Sequence, residues 1–215
     1  MLTVCPYPDC RITYEANVSP DAKHTNCPQC SRTGAIRSPE AWHHMSLKKE
    51  KISSENHIPS VHKFTAIVED VRSLWNVGSI FRTADAAGVS CLYLCGITGC
   101  PPRNEIAKTS LGAEDYVLWE YFSHPLDVIP SLREIGVTIF GLERTKTSKS
   151  LKTYLNDKTI HKPVCLVIGN EVHGISPETL SFCDYVGELP MKGHKESLNV
   201  AVAFGIATYL INELL

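Results

Sequence analysis

Four cysteines near the start of the chain are spaced for metal binding. Cys5 and Cys10 enclose four residues, Cys27 and Cys30 enclose two, and prolines stand beside both pairs. Two thiolate pairs joined by a short loop suit a tetrahedral Cys₄ zinc site. His24 lies close enough in sequence to replace one ligand. So short a segment cannot bury a core of its own, and bound metal would supply its folding free energy. Further along, three stretches carry glycines among amide, hydroxyl and acidic side chains. They are the residues after Val68, Gly169-Asn-Glu-Val-His-Gly174, and the run from Leu189 to Asn199. Glycine there lets backbone amides approach a ligand closely. His173 and His194 have no metal-ligand partner pattern and read as bystanders.

Alternating strands and helices must carry these stretches. Apolar runs predict strands at 64–68, 91–95, 137–141 and 164–168. The last two are continuous enough to be buried on both faces of a parallel sheet. Apolar residues at Val77, Ile80, Phe81 and Ala84 have helical spacing, predicting a helix over 76–87 that Gly88 stops. Pro101 and Pro102 mark a loop, with a short helix near 105–109. A further helix is expected over 125–135. Ser176 and Pro177 are set to cap and open the next helix, and 197–215 forms the last one. This is an α/β domain with a largely parallel sheet, and all three unusual stretches follow strands, where open α/β sheets bind ligands. The domain runs over 61–215, after a zinc-ribbon-like module over 1–37 and a linker over 38–60 in which residues 40–51 can form a polar helix.

The chain has 215 residues, 43% hydrophobic and 20% charged, which is ordinary globular composition. A net charge of -2 weighs mildly against a nucleic-acid partner. Yet Arg144, Lys146, Lys149, Lys152, Lys158 and Lys162 form a locally basic segment that suits phosphate, or else a solvated surface. No stretch reaches the roughly 18 apolar residues of a membrane span. The N-terminus lacks a secretory pattern, so a cytoplasmic protein with no membrane partner is expected. The other five of nine cysteines (Cys91, Cys95, Cys100, Cys165, Cys183) sit mostly in apolar runs and read as small buried hydrophobes.

Three motifs make the reading specific. Asn76-Val-Gly-Ser-Ile-Phe-Arg82-Thr-Ala, Val167-Ile-Gly169-Asn-Glu171-Val-His-Gly174-Ile, and Leu189-Pro-Met-Lys-Gly193 followed by Glu196-Ser197-Leu-Asn199 occur in that order. Together they resemble the three motifs of the SPOUT superfamily of RNA methyltransferases, in the TrmH (SpoU) branch. The resemblance covers about 61–215 and excludes the N-terminal cysteines. It implies an α/β fold with a deep trefoil knot near the C-terminus, S-adenosylmethionine as methyl donor, a homodimer, and tRNA or rRNA as substrate. It places cofactor contacts at Leu94, Gly96, Gly141, Ile168, Gly169, Leu189, Met191 and Leu198. The chemical groups fall on Asn76, Arg82, Glu171, Ser197 and Asn199.

The implied reaction methylates a ribose 2′-hydroxyl. The cofactor carries the intrinsic reactivity, and the protein supplies orientation and electrostatics. Arg82 suits a phosphate clamp that stabilises developing oxyanion charge better than a general base, because guanidinium stays protonated in proteins. Without the motif it would read as an ion pair with Asp85. Asn76 or Ser197 can instead be simple helix caps, and Glu171 can orient Arg82 or Asn76. Arg103 and Lys108 are candidate phosphate contacts. A non-catalytic RNA- or ribosome-binding protein and a base methyltransferase remain alternatives on the same scaffold.

Overall fold

A computed structural model of the chain describes residues 2–4, 12–17, 24–31, 33–35, 64–161 and 163–214. The chain divides into two compact units, Met1–Pro59 and Ser60–Leu215. The expected polar helix over 40–51 lies outside the described residues, as do Cys5 and Cys10.

In the first unit two short antiparallel hairpins are described. Strand β1 (Leu2–Val4) pairs with β2 (Thr13–Glu15), and β3 (His24–Asn26) pairs with β4 (Thr33–Ala35). Cys27 and Cys30 sit on the turn between β3 and β4. The Ser31 N–H closes that turn on the Cys27 carbonyl at 2.8 Å, with Ser31 at φ 58°. Cys27 is buried and Cys30 half-buried.

The second unit is built on a sheet whose described strands all run parallel. They are β5 (Phe64–Glu69), β6 (Cys91–Cys95), β7 (Leu118–Phe122), β8 (Thr138–Leu142), β9 (Lys149–Ser150), β10 (Val164–Ile168) and β11 (Tyr185–Glu188), in the order β7-β6-β5-β10-β8-β11-β9. Every residue of β5, β6 and β10 is buried, as continuous apolar runs require in central strands. One face of the sheet packs Ile67, Tyr93, Ile139, Cys165 and Val167 against Ile129, Leu132 and Ile175. Strand alternation sends Ala66, Val68, Leu92, Leu94 and Leu166 to the other face.

The helices are α1 (Leu74–Ala86), α2 (Asn104–Ser110), α3 (Ile129–Glu134), α4 (Leu151–Asn156), α5 (Pro177–Ser181) and α6 (Val200–Leu214). Helix α1 packs against α2 and α6. It starts two residues before the expected position, because the Ser73 hydroxyl accepts the Asn76 N–H at 3.4 Å and caps it. The expected helix over 125–135 is broken. A 3₁₀ turn over Pro125–Asp127, capped by His124, precedes α3, whose second residue is Pro130. The last helix begins at Val200 and not at Ser197. Strands β7, β9 and β11 and helix α4 were not expected from sequence. Edge strand β7 is only half-buried along its length, which removes the apolar signal.

Of the scattered cysteines, Cys91, Cys95, Cys100 and Cys165 are buried and Cys183 is partly so. Burial pushes the Cys165 and Cys183 thiols up to about 12, which leaves them unreactive as nucleophiles near neutral pH. Among the described residues no helix is long and apolar enough to cross a membrane.

Candidate active site

The strand order brings the carboxyl ends of β5, β10, β8 and β11 side by side, so the loops that follow them meet. Polar side chains then tie loop to loop. Glu69, the last residue of β5 and 2% exposed, accepts the Ser176 N–H at 3.1 Å, the Ser176 hydroxyl at 2.7 Å and the Thr179 hydroxyl at 2.8 Å. These bonds pin the start of α5 to the end of β5. Glu143, just past β8, accepts the Ile175 N–H at 2.9 Å.

The turn over 169–174 is the centre of this arrangement. Asn170 and Gly174 exchange backbone hydrogen bonds, both 2.9 Å. The Asn170 Oδ1 accepts the N–H groups of Val172 (2.9 Å) and His173 (3.1 Å), while its Nδ2 donates to the Asp70 carbonyl at 2.7 Å. Gly174 has φ 70°, a left-handed conformation that favours glycine. At Gly169 a Cβ would strike the backbone of Gly174 and Ile175. Both glycines are therefore required by the turn itself.

The turn projects Glu171 toward the start of α1. Its carboxylate accepts the N–H groups of Arg72 and Ser73 at 3.0 Å each and the Asn76 Nδ2 at 2.9 Å. Partial burial pushes the carboxyl pKa up, but the donors of Arg72, Ser73 and Asn76 outweigh it and hold it below the ordinary value. The Asn76 Oδ1 in turn accepts the Asn199 Nδ2 at 3.1 Å. The Asn199 Oδ1 accepts the Ala201 and Val202 N–H groups at 2.9 and 3.3 Å and so caps α6. The relay from Asn199 through Asn76 to Glu171 has one direction. An ionised carboxylate only accepts, which fixes the orientation of each amide in turn.

Beside this relay lies a cavity of about 180 Å³. Apolar side chains of Leu142, Ile168, Leu189, Met191 and Leu198 line it, together with the carboxylates of Glu143, Glu171, Glu188 and Glu196 and one guanidinium, Arg144. Five of the eight residues expected at the cofactor (Ile168, Gly169, Leu189, Met191, Leu198) are on its wall. The other three are not. Leu94 is wholly buried in β6, Gly141 packs toward Cys183 in β8, and Gly96 abuts Asp70. Glu171 and Ser197 also line the cavity, and Asn76 and Asn199 join it through the relay.

Arg82 lies elsewhere. It sits six residues beyond Asn76, about 9 Å along α1 at 1.5 Å per residue, and on another face. It is exposed, and among the described residues it has no ion pair with Asp85 or any other acid. In the basic segment, Arg144 donates to the Glu196 carbonyl at 3.4 Å and is drawn into the cavity wall, while Lys149 is on β9 and Lys152 on α4. Lys162 lies outside the described residues. Arg103 is 4.0 Å from Glu105 at the start of α2, and Lys108 lies over the Trp75 ring. Sequence reasoning missed Glu69 and Glu143. A lone acid at the end of an apolar strand was the available signal.

The profile described as the SpoU rRNA Methylase family matches residues 63–209. The chain is 33% identical to the tRNA (guanosine(18)-2'-O)-methyltransferase of Aquifex aeolicus over 141 residues, covering 66% of this chain and 64% of that one. It is 29% identical to the 23S rRNA (guanosine-2'-O-)-methyltransferase of Xanthomonas axonopodis over 143 residues, covering 66% of this chain and 55% of that one. Among solved structures, the AdoMet-bound rRNA methyltransferase of Sinorhizobium meliloti superposes with a TM-score of 0.64 at 30% identity, over 71% of this chain and 57% of that one. The TrmH/SpoU tRNA modifying enzyme of A. aeolicus gives a TM-score of 0.63 at 28% identity, over 80% of this chain and 83% of that one. For the first curated relatives the match spans 55–64% of their length.

Proposed function

Because the chain belongs to the SpoU rRNA Methylase family, we propose that it transfers a methyl group from S-adenosylmethionine to a ribose 2′-hydroxyl of tRNA or rRNA. The observation that carries this reading is the Asn199–Asn76–Glu171 relay at the edge of a cavity with apolar walls and an acidic rim. The wall suits the cofactor's chemistry. Ile168, Leu189, Met191 and Leu198 offer an apolar slot for adenine, and four carboxylates against one guanidinium favour a molecule carrying sulfonium and ammonium charge. When bound, the cofactor supplies an electrophilic methyl group.

The chain's own residues do the rest. Asn76, held at both ends of its amide, positions the substrate sugar. Glu171 is ionised and saturated with donors, so it is a holder of Asn76 and not a proton acceptor. Ser197, exposed on the cavity wall, orients the substrate. Arg82 clamps the neighbouring phosphate and stabilises charge developing on the 2′-oxygen.

Arg82 is exposed, off the wall of its own chain's cavity and on another face of α1 from Asn76, which supports a homodimer in which a second copy supplies it. Val202, Ile206 and Tyr209 form an exposed apolar stripe at helical spacing on α6, 51%, 42% and 51% exposed, consistent with a covered face. The insertion of β10 between β5 and β8, and of β11 between β8 and β9, supports a C-terminal trefoil knot. In the first unit, each cysteine pair falls in the sequence between the two strands of a hairpin. That arrangement supports a structural zinc held by Cys5, Cys10, Cys27 and Cys30.

The test uses the purified chain, methyl-labelled S-adenosylmethionine and total RNA from cells lacking the protein. Mass spectrometry of the digested nucleosides should place the label on a ribose, and Arg82→Ala should abolish it while cofactor binding persists. Label on a base, or cofactor binding without transfer to any RNA, would overturn the reading. Elemental analysis of the same protein should find about one zinc per chain.

A further inference from the structure

Trp75 is the residue before Asn76, yet it takes no part in the core: it is 49% exposed. A half-exposed tryptophan on a helix start is a large apolar surface left to water, and its surroundings are built to hold it there. Helix α2 crosses α1 at Gly78, where a Cβ would strike Ile106 and Thr109. That close crossing lets the Thr109 hydroxyl donate to the Trp75 carbonyl at 3.1 Å and sets the Lys108 ammonium 5.6 Å from the centre of the indole ring. The Ser79 hydroxyl donates to the same carbonyl at 2.9 Å. Lys108 makes no ion pair among the described residues, and Arg72, three residues before Trp75, is exposed. Trp75, Ser79 and Arg82 recur at i, i+4 and i+7 and so lie on one outward stripe of α1.

We propose that the Trp75 ring is a stacking platform for an unpaired base of the RNA, flanking the nucleotide that is methylated. Aromatic faces stack any base, and cations beside them hold the phosphates. Here the ring, one residue before Asn76, and the cations of Lys108 and Arg72 supply both parts, and Asn76 is itself anchored to Glu171. Apolar exposure alone would also suit a protein partner. The ammonium over the ring and the exposed Arg72 three residues before it favour a polyanion. The inference rests on the methyltransferase reading and adds the group that selects a splayed, single-stranded target.

The experiment measures kcat and KM for RNA with the full chain, labelled S-adenosylmethionine and total RNA from cells lacking the protein. Trp75→Ala should raise KM for RNA about tenfold or more with kcat changed less than about twofold, because stacking of a flanking base is the same in ground and transition states. Trp75→Phe, which keeps a ring, should remain within about threefold of the parent. Unchanged KM in Trp75→Ala overturns the proposal, as does a KM increase accompanied by a fall in sedimentation mass, which would make Trp75 a contact between copies. If the parent protein binds S-adenosylmethionine but transfers no methyl, the functional reading fails. RNA binding by Trp75→Ala and the parent, followed by gel shift, then judges the platform separately, and equal affinities refute it.

Discussion

Asn76 and Glu171, 95 positions apart, are joined by a 2.9 Å hydrogen bond from the amide Nδ2 to the carboxylate Oε1. The same carboxylate takes the backbone N–H groups of Arg72 and Ser73, so one side chain fixes both the amide and the helix start that carries it. Glu171→Ala frees all three donors to water. Methyl transfer should fall about 100-fold, the cost of letting a positioning group drift by about 1 Å. Thermal stability should fall only modestly, since Glu171 is exposed and water takes up the freed donors. An activity near that of the parent would show that Asn76 needs no holder.

The low pKa of Glu171 makes a signed prediction about pH. Its folded value lies below the ordinary 4.5, so its contribution to stability is present above that pH and is lost as pH falls through the folded value. The difference in unfolding free energy between the parent and Glu171→Gln should be constant from about pH 7 to about pH 5 and shrink below about pH 4. Denaturant titrations across that range would contradict the assignment if the difference grew on acidification.

Asn199 has two separable tasks. Its Oδ1 caps α6, while its Nδ2 reaches Asn76 at 3.1 Å. Asn199→Ser keeps a capping oxygen and loses the reach. Stability should stay within about 0.5 kcal/mol of the parent, against about 1 kcal/mol lost in Asn199→Ala. Methyl transfer should fall alike in both. Recovery of activity in the serine variant would reduce Asn199 to a cap.

Gly169 faces backbone, with no flexible side chain to move aside. Gly169→Ala must displace the turn that presents Glu171. A loss of about 1–3 kcal/mol in chemical denaturation is expected, with loss of S-adenosylmethionine binding by calorimetry. Parental stability and affinity would mean that the turn yields freely.

Glu69 carries a structural load at the floor of the same loops. Glu69→Ala leaves one backbone and two hydroxyl donors without their acceptor in a site 2% exposed. About 3 kcal/mol of stability should be lost, and less in Glu69→Gln, which keeps an acceptor oxygen. Equal losses in the two variants would point to packing and not to hydrogen bonding.

The proposed supply of Arg82 by a second copy makes a prediction about mixtures. Arg82→Ala and Asn76→Ala should each be inactive alone. Refolded together in equal amounts, they should recover about a quarter of parental activity, since half the dimers are mixed and each of those has one intact site. No recovery would place Arg82 and Asn76 in one chain's site.

Local chemistry made much of this protein legible from sequence. Continuous apolar runs marked the central strands at 64–68, 91–95 and 164–168, because strands buried on both faces tolerate little else. Ser176 and Pro177 marked the start of α5 through capping and a fixed φ. The motifs marked the loops. Local chemistry is silent where partners are distant. Strands β7, β9 and β11 exist because a neighbour pairs with them, and their residues carry no strong apolar period. The last helix starts at Val200 because Asn199 turns its Oδ1 to cap it while its Nδ2 reaches an amide 123 positions away. Arg82 and Asn76 share a helix and a motif, yet 1.5 Å of rise and 100° of turn per residue send them to different faces. Which residues the chain carries, and at what spacing, was settled by the sequence. Which of them meet was decided by the order of strands in the sheet.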